Sequence, residues 1–229
     1  MNIKTYHLIE GAKKAKGLVV IIDVFRAFTT ACYLINQGAT SIIPRGSIED
    51  VWEAKKHHKD AITVGERSGD RIEGFDYGNS PYRIQGIDFS NKEVIQTTSA
   101  GTQGIINATN ADEIITGSFV NAGAICRYIK SKNPKEVSLV AMGYAGESIT
   151  MEDEYLAEYL TNELNEEPQS LAGKFELLKK GDGARFFNEE TQEWSPKEDF
   201  DLCLNVNQFD FVLKLEKDSN GYYLNKIEC

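Results

Sequence analysis

Residues 17–30 read GLVVIIDVFRAFTT. Leu18–Val24 is apolar and rich in β-branched residues with no polar alternation, the pattern of a strand buried on both faces, and Asp23 sits at its end. Helical spacing follows over Ala27–Ile35, through Ala27, Ala31, Leu34 and Ile35, and Gly38 is placed to close that helix. A buried strand feeding directly into a helix is the unit of a parallel sheet.

Working outward, the same alternation recurs. Ser41–Ile43 is a short strand. Ser47, with Asp50 three residues on, marks a helix start before Val51–Lys56. Ala61–Val64, Val94–Gln96, Glu113–Ile115 and Val137–Met142 read as further strands. Helices are expected after Thr102 to about Asn107, over Val120–Lys130, and over Met151–Leu164 with Thr150 as its N-cap. GATSII (38–43) aligns with NADEII (110–115), and Gly46-Ser47 with Gly117-Ser118. That alignment indicates a duplicated βαβα unit, with pseudo-repeats at about 17–60 and 92–131.

The C-terminal part is less regular. Leu171–Lys179 has a helical pattern, and Gly181–Thr191 reads as loop. Ser195-Pro196-Lys197-Glu198 combines an N-cap serine, an N1 proline and a capping-box glutamate. Phe209–Leu215 and Tyr222–Ile227 flank Ser219-Asn220-Gly221 as a hairpin. The expectation is one α/β domain over residues 1–229. It is a three-layer α/β/α fold around a largely parallel, mixed sheet, with a C-terminal α+β extension.

The chain has 229 residues, 41% hydrophobic and 26% charged, which suits a globular core. A net charge of −10 argues against nucleic acid or an anionic membrane as partner. A small anion can still bind where arginines and backbone amides converge, and acidic side chains suit a divalent cation that bridges to it. Cys32, Cys126, Cys203 and Cys229 are widely spaced without a CxxC, so zinc and redox motifs are unsupported and a reducing cytoplasm is expected. Asp23 and Arg26 interrupt the N-terminal apolar run, which therefore does not read as a signal peptide, and no run reaches membrane-spanning length. The sequence leaves homo-oligomerisation open.

In parallel sheets, ligands gather at the carboxyl ends of strands. Asp23, the turn Thr97–Thr102, Gly117-Ser118 and Gly143 all follow strands here, as does the stretch GERSGDRIEGFDYGNSP (65–81). That stretch has no apolar period and reads as a structured loop anchored by Ile72, Phe75 and Tyr77. It either presents Glu66, Arg67, Arg71, Asp76 and Asn79 to a polar partner or is a surface Ω-loop with solvated charges. Asp23 inside an apolar segment requires a partner, either a bridge to Arg26 or a functional ligand. The Thr97–Thr102 turn is an anion site at a helix N-terminus or an ordinary cap, and it is not a Walker loop. Glu152 and Asp153 fall in a first helical turn, where the dipole favours acids. No Cys-x5-Arg loop is present, and no DxD follows the Asp23 strand.

GERSGDRIEGFDYGNSP resembles the GERxGxxIxGFDxGNSP motif of the 2-phosphosulfolactate phosphatase (ComB) family. Residues 17–30, VIQTTSAGTQGI (94–105), ITMEDEYLAEYL (149–160) and WSPKEDFDLCL (194–204) resemble further family segments, in the family's order. The resemblance implies magnesium-dependent hydrolysis of (2R)-2-phospho-3-sulfolactate to 3-sulfolactate and phosphate, which in the family serves coenzyme M biosynthesis. A phosphatase for another 2-hydroxy-acid phosphate is one alternative. By the same resemblance Asp23, Glu66, Glu152 and Asp153 are candidate Mg2+ ligands, and Asp23, Glu66 and Asp153 candidate catalytic residues. Arg26, Arg67, Asn79, Thr97, Thr98, Ser99, Gly101 and Thr102 are candidate substrate contacts. The expected nucleophile is water on the metal, with attack by Asp23 to form an aspartyl phosphate as the rival. A non-catalytic small-anion binding protein of the same fold is the alternative function.

Overall fold

The computed structural model describes residues 1–219 and 221–229. Asn220, expected in the hairpin turn, lies outside the described residues. The chain opens with β1 (Asn2–His7) and α1 (Leu8–Lys14), which the apolar patterning did not disclose. The decisive stretch forms β2 (Gly17–Ile22) and α2 (Ala27–Asn36). Val19 and Ile21 point into one core cluster while Leu18, Val20 and Ile22 point into another. Both faces of β2 are therefore covered, which is why no polar residue alternates through it. Each fully buried Ile or Leu contributes roughly 1.5–3 kcal/mol by leaving water.

β3 (Ser41–Pro44), α3 (Ile48–His57) and β4 (Ile62–Arg67) follow. Ser47 caps α3 as expected, its Oγ accepting the Asp50 N–H at 3.0 Å. The glycine-rich stretch is not simply a loop. β4 runs on through Glu66 to Arg67, turns, and pairs back with β5 (Asp70–Arg71). α4 (Pro81–Ile84), β6 (Glu93–Thr97), α5 (Gly101–Asn107), β7 (Ala111–Gly117) and α6 (Ala122–Lys132) come next. β8 (Glu136–Ala141), α7 (Met151–Leu164), α8 (Ala172–Lys180) and α9 (Glu198–Cys203) precede the hairpin of β9 (Phe211–Asp218) and β10 (Gly221–Glu228).

Two expected caps are not made. Thr150 occupies the N-cap of α7, but its Oγ1 is buried without a partner, and Asp182 Oδ2 accepts the Met151 N–H at 2.8 Å instead. Ser195 Oγ is likewise unpartnered, and α9 begins three residues later, after Lys197.

The strands form one mixed sheet in the order β1-β8-β2-β7-β9-β10-β3-β6-β4-β5, flanked by helices. β1, β8, β2 and β7 are mutually parallel, as are β3, β6 and β4. The β9–β10 hairpin joins the two sets through one residue pair on each side, Ile115 with Lys214 and Leu224 with Ile42. The two pseudo-repeat segments contribute to both sets: β2 pairs with β7 in one, β3 with β6 in the other. Among the described residues, no helix is long and apolar enough to cross a membrane.

Candidate active site

Counted along the ladder, three antiparallel pairings separate the two parallel sets, so β2 and β6 nominally run in opposite directions. Their carboxyl ends nevertheless meet. The segments after β2, β4, β6 and β8 line a single cleft of about 460 Å³, part of it open to solvent.

Asp23 follows β2 and is buried on the cleft wall. Its Oδ1 accepts the Ala27 N–H at 3.0 Å, fixing the carboxylate at the start of α2. Burial, with repulsion from Glu66 adding to it, pushes the Asp23 pKa up to about 6. A Cβ on Gly101 would lie 2.9 Å from Asp23 Oδ2, so only glycine lets α5 approach this closely.

Glu66 ends the regular part of β4 and is gripped by three donors. Oε1 accepts the Ser99 N–H at 2.6 Å, and Oε2 accepts Gly69 N–H at 2.8 Å and Ser99 Oγ at 3.2 Å. Asn79 also lines the cleft, and among the described residues its buried Oδ1 has no hydrogen-bond partner. Asp23, Arg26, Glu66, Asn79 and Ser99 are the expected residues that the fold brings to the cleft.

Other expected residues are engaged elsewhere. Arg26 reaches the cleft, but its guanidinium is held by Asp199 Oδ2 at 2.7 Å, Trp194 O at 2.7 Å and Gly69 O at 3.2 Å. The bridge partner of Arg26 is therefore Asp199 and not Asp23. Arg67 binds Glu66 O and Thr97 Oγ1 and braces the strand ends instead of facing the cleft. Thr98 and Thr102 satisfy each other: Thr98 N–H donates to Thr102 Oγ1, and Thr102 N–H donates to Thr98 Oγ1. Those are the contacts of an ordinary cap. Arg71 bonds Phe75 O at 3.3 Å, and Asp76 accepts both the N–H and the hydroxyl of Thr63 within the hairpin loop.

Glu152 and Asp153, expected at the metal, lie behind the cleft wall. Asp153 Oδ1 accepts Val24 N–H at 2.9 Å and Oδ2 accepts Gly143 N–H at 2.8 Å, tying the end of β2 to the end of β8. Burial and the neighbouring charges of Glu152 and Asp23 hold Asp153 well above the usual carboxylate range. Burial also pushes Glu152 up to about 7. Among the described residues, no group of three or more His, Cys, Asp or Glu side chains converges to hold a metal. The four-carboxylate set is not assembled.

Two cleft residues, Arg185 and Tyr144, carried no sequence indication, and Trp194 only that of the family-like segment 194–204. Arg185 comes from a 3-10 turn, Ala184–Phe187, inside the stretch read as loop. Tyr144 follows β8. Trp194 lies against Gly69, whose φ of +92° and lack of a Cβ leave room for the indole ring.

The family model for 2-phosphosulpholactate phosphatase matches residues 3–218. A protein of Caldanaerobacter subterraneus subsp. tengcongensis, named probable 2-phosphosulfolactate phosphatase, is 30% identical over 93% of both chains. Proteins of the same name from Bacillus subtilis and Carboxydothermus hydrogenoformans are 30% and 36% identical, over 87% and 73% of this chain and 87% and 69% of theirs. The family match runs from β1 to the end of β9 and takes in every strand end that lines the cleft, so the chain belongs to the 2-phosphosulpholactate phosphatase family.

Proposed function

We propose that the protein is a cytoplasmic, magnesium-dependent phosphoric monoester hydrolase that converts 2-phospho-3-sulfolactate to 3-sulfolactate and phosphate. Relatives aligned over 93% and 87% of the chain are named probable 2-phosphosulfolactate phosphatases. The observation that carries the reading is the cleft itself. Asp23 and Glu66 meet there beside an Asn79 Oδ1 that no protein group satisfies.

An oxygen-only donor set with an orphaned carbonyl fits magnesium, which keeps several waters and needs few protein ligands. Asp23, Glu66 and Asn79 would hold it, and when bound it neutralises charge on the phosphoryl oxygens. The chain's own residues do the rest. Ser99 and Gly69 fix the Glu66 carboxylate through three hydrogen bonds, so it does not reorient during reaction. Ala27 N–H fixes Asp23, which orients the attacking water and draws on its proton. The water oxygen bonds to phosphorus as the ester P–O bond breaks, and the leaving hydroxy-acid oxygen takes up a proton. The Arg26–Asp199–Trp194 contacts hold the outer wall against solvent.

The test is phosphate release from a panel of 2-hydroxy-acid phosphate esters with and without magnesium. The sulfonated ester is expected to turn over fastest and only with the metal. A folded, magnesium-loaded protein that releases phosphate from none of them overturns the reading in favour of anion binding alone.

A further inference from the structure

A cleft built around Asp23 and Glu66 repels a multiply charged ester, and a side-chain cation facing them would add to what the proposed magnesium offsets. Arg26 does not supply it, because its hydrogen bonds go to the protein oxygens of Trp194, Asp199 and Gly69 and its side chain is 3% exposed. Arg185 differs in each respect. It is half-buried on the cleft wall. Its Nη2 donates to Phe25 O at 3.2 Å and its Nη1 to Asp182 O at 3.4 Å, and among the described residues no acceptor engages the other three of its five N–H donors. Among the described residues, no carboxylate lies within ion-pair distance of it, although Glu152 behind the wall is the acid whose charge acts on it most. Phe25, Phe186 and Tyr144 surround the guanidinium with ring centroids 5.8, 4.9 and 6.0 Å away. They hold the planar group in place without saturating it.

We infer that Arg185 is a catalytic residue whose guanidinium binds the phosphoryl oxygens of the ester in the Asp23–Glu66 cleft, an inference that rests on the phosphatase reading above. A planar, paired donor matches phosphate oxygens, and its charge meets the charge that builds on them in the transition state. The residue arrives from the C-terminal part of the chain, so the cleft is incomplete without that segment.

The test pairs steady-state kinetics with calorimetry on wild type, Arg185→Lys and Arg185→Gln, using inorganic phosphate and 3-sulfolactate as separate probes in magnesium buffer. Arg185→Gln is expected to lower kcat about 100-fold. It should weaken inorganic phosphate binding at least about 10-fold while leaving 3-sulfolactate within about twofold. Arg185→Lys should fall between, and free guanidinium should restore part of the loss in Arg185→Gln. Unchanged phosphate affinity, a loss that falls on 3-sulfolactate instead, or a wild type that binds no phosphate overturns the assignment. If Arg185→Gln does not fold, the same readouts on Arg185→Lys decide. A wild type that binds phosphate through Arg185 but hydrolyses no ester sinks the phosphatase reading and leaves this assignment standing.

Discussion

Arg26 and Asp199 form a buried ion pair, Nη1 to Oδ2 at 2.7 Å, across 173 residues of sequence. The pair links the segment after β2 to α9. Ser80 Oγ and Tyr82 N–H complete the carboxylate by donating to Asp199 Oδ1 at 2.8 and 2.9 Å. Breaking one side leaves the other charge buried alone. Asp199→Ala is expected to cost about 3–5 kcal/mol, read as a fall in Tm, and Arg26→Met added to it should recover part of the loss. A single variant that melts with the wild type would show that solvent reaches this pair.

Gly69 adopts φ +92°, and a Cβ there would stand 2.8 Å from the Trp194 ring. Gly69→Ala should therefore destabilise by about 1–3 kcal/mol and displace Trp194 from the cleft mouth. Tryptophan fluorescence reports the displacement and kcat/KM the functional loss. Asp70→Asn, on the exposed side of the same hairpin, is the control and should leave both unchanged.

In metal-free protein, Asp23 binds its proton more tightly when folded, with a pKa raised from 3.8 to about 6. Between those values the native state holds more protons than the unfolded chain, so stability falls as pH rises through that window. Asp23→Asn keeps an acceptor for Ala27 N–H and removes the charge. It should match wild type near pH 4 and exceed it at pH 8 by on the order of 1–3 kcal/mol, while losing activity. Equal melting curves at both pH values would mean that the Asp23 carboxylate is not desolvated.

Magnesium gives a second, activity-independent readout. At about 100 times its Kd, a ligand confined to the native state adds about 2.7 kcal/mol. Wild type should gain Tm on adding the metal, Asp23→Asn and Glu66→Gln should not, and Asn79→Ala should gain less. A full shift in Asn79→Ala would remove Asn79 from the ligand set.

Water attack and Asp23 attack leave different traces. Acid quench during turnover of labelled ester should recover no base-labile phosphate on the protein. A phosphorylated peptide containing Asp23 would establish the aspartyl-phosphate route.

The local elements were readable where one force decides them. Met151–Leu164 carries its own helical period, and β2 is apolar on both sides because both sides are covered. β1 was hidden because it is an edge strand with half-exposed polar residues, held by pairing to a strand 134 residues away. The Thr98–Thr102 pairing and the reach of Asp182 to α7 depend on neighbours that no local window contains. Asp23 could be picked out because a carboxylate at the end of a buried strand is locally anomalous, and Glu66 through the family-like glycine-rich stretch that carries it. Arg185 could not, because it sits in an irregular stretch and becomes informative only once folded against Phe25. Nor did any periodicity indicate that the C-terminal hairpin would lie between β7 and β3.

That placement has a consequence for biosynthesis. The ribosome delivers β1 to β8 first, as two sets of strands whose inner borders, β7 and β3, have nothing to dock on. Such borders invite pairing with other chains. The polypeptide can seal them only when β9 and β10 emerge, so removing that hairpin would yield two sticky half-sheets in place of one continuous sheet.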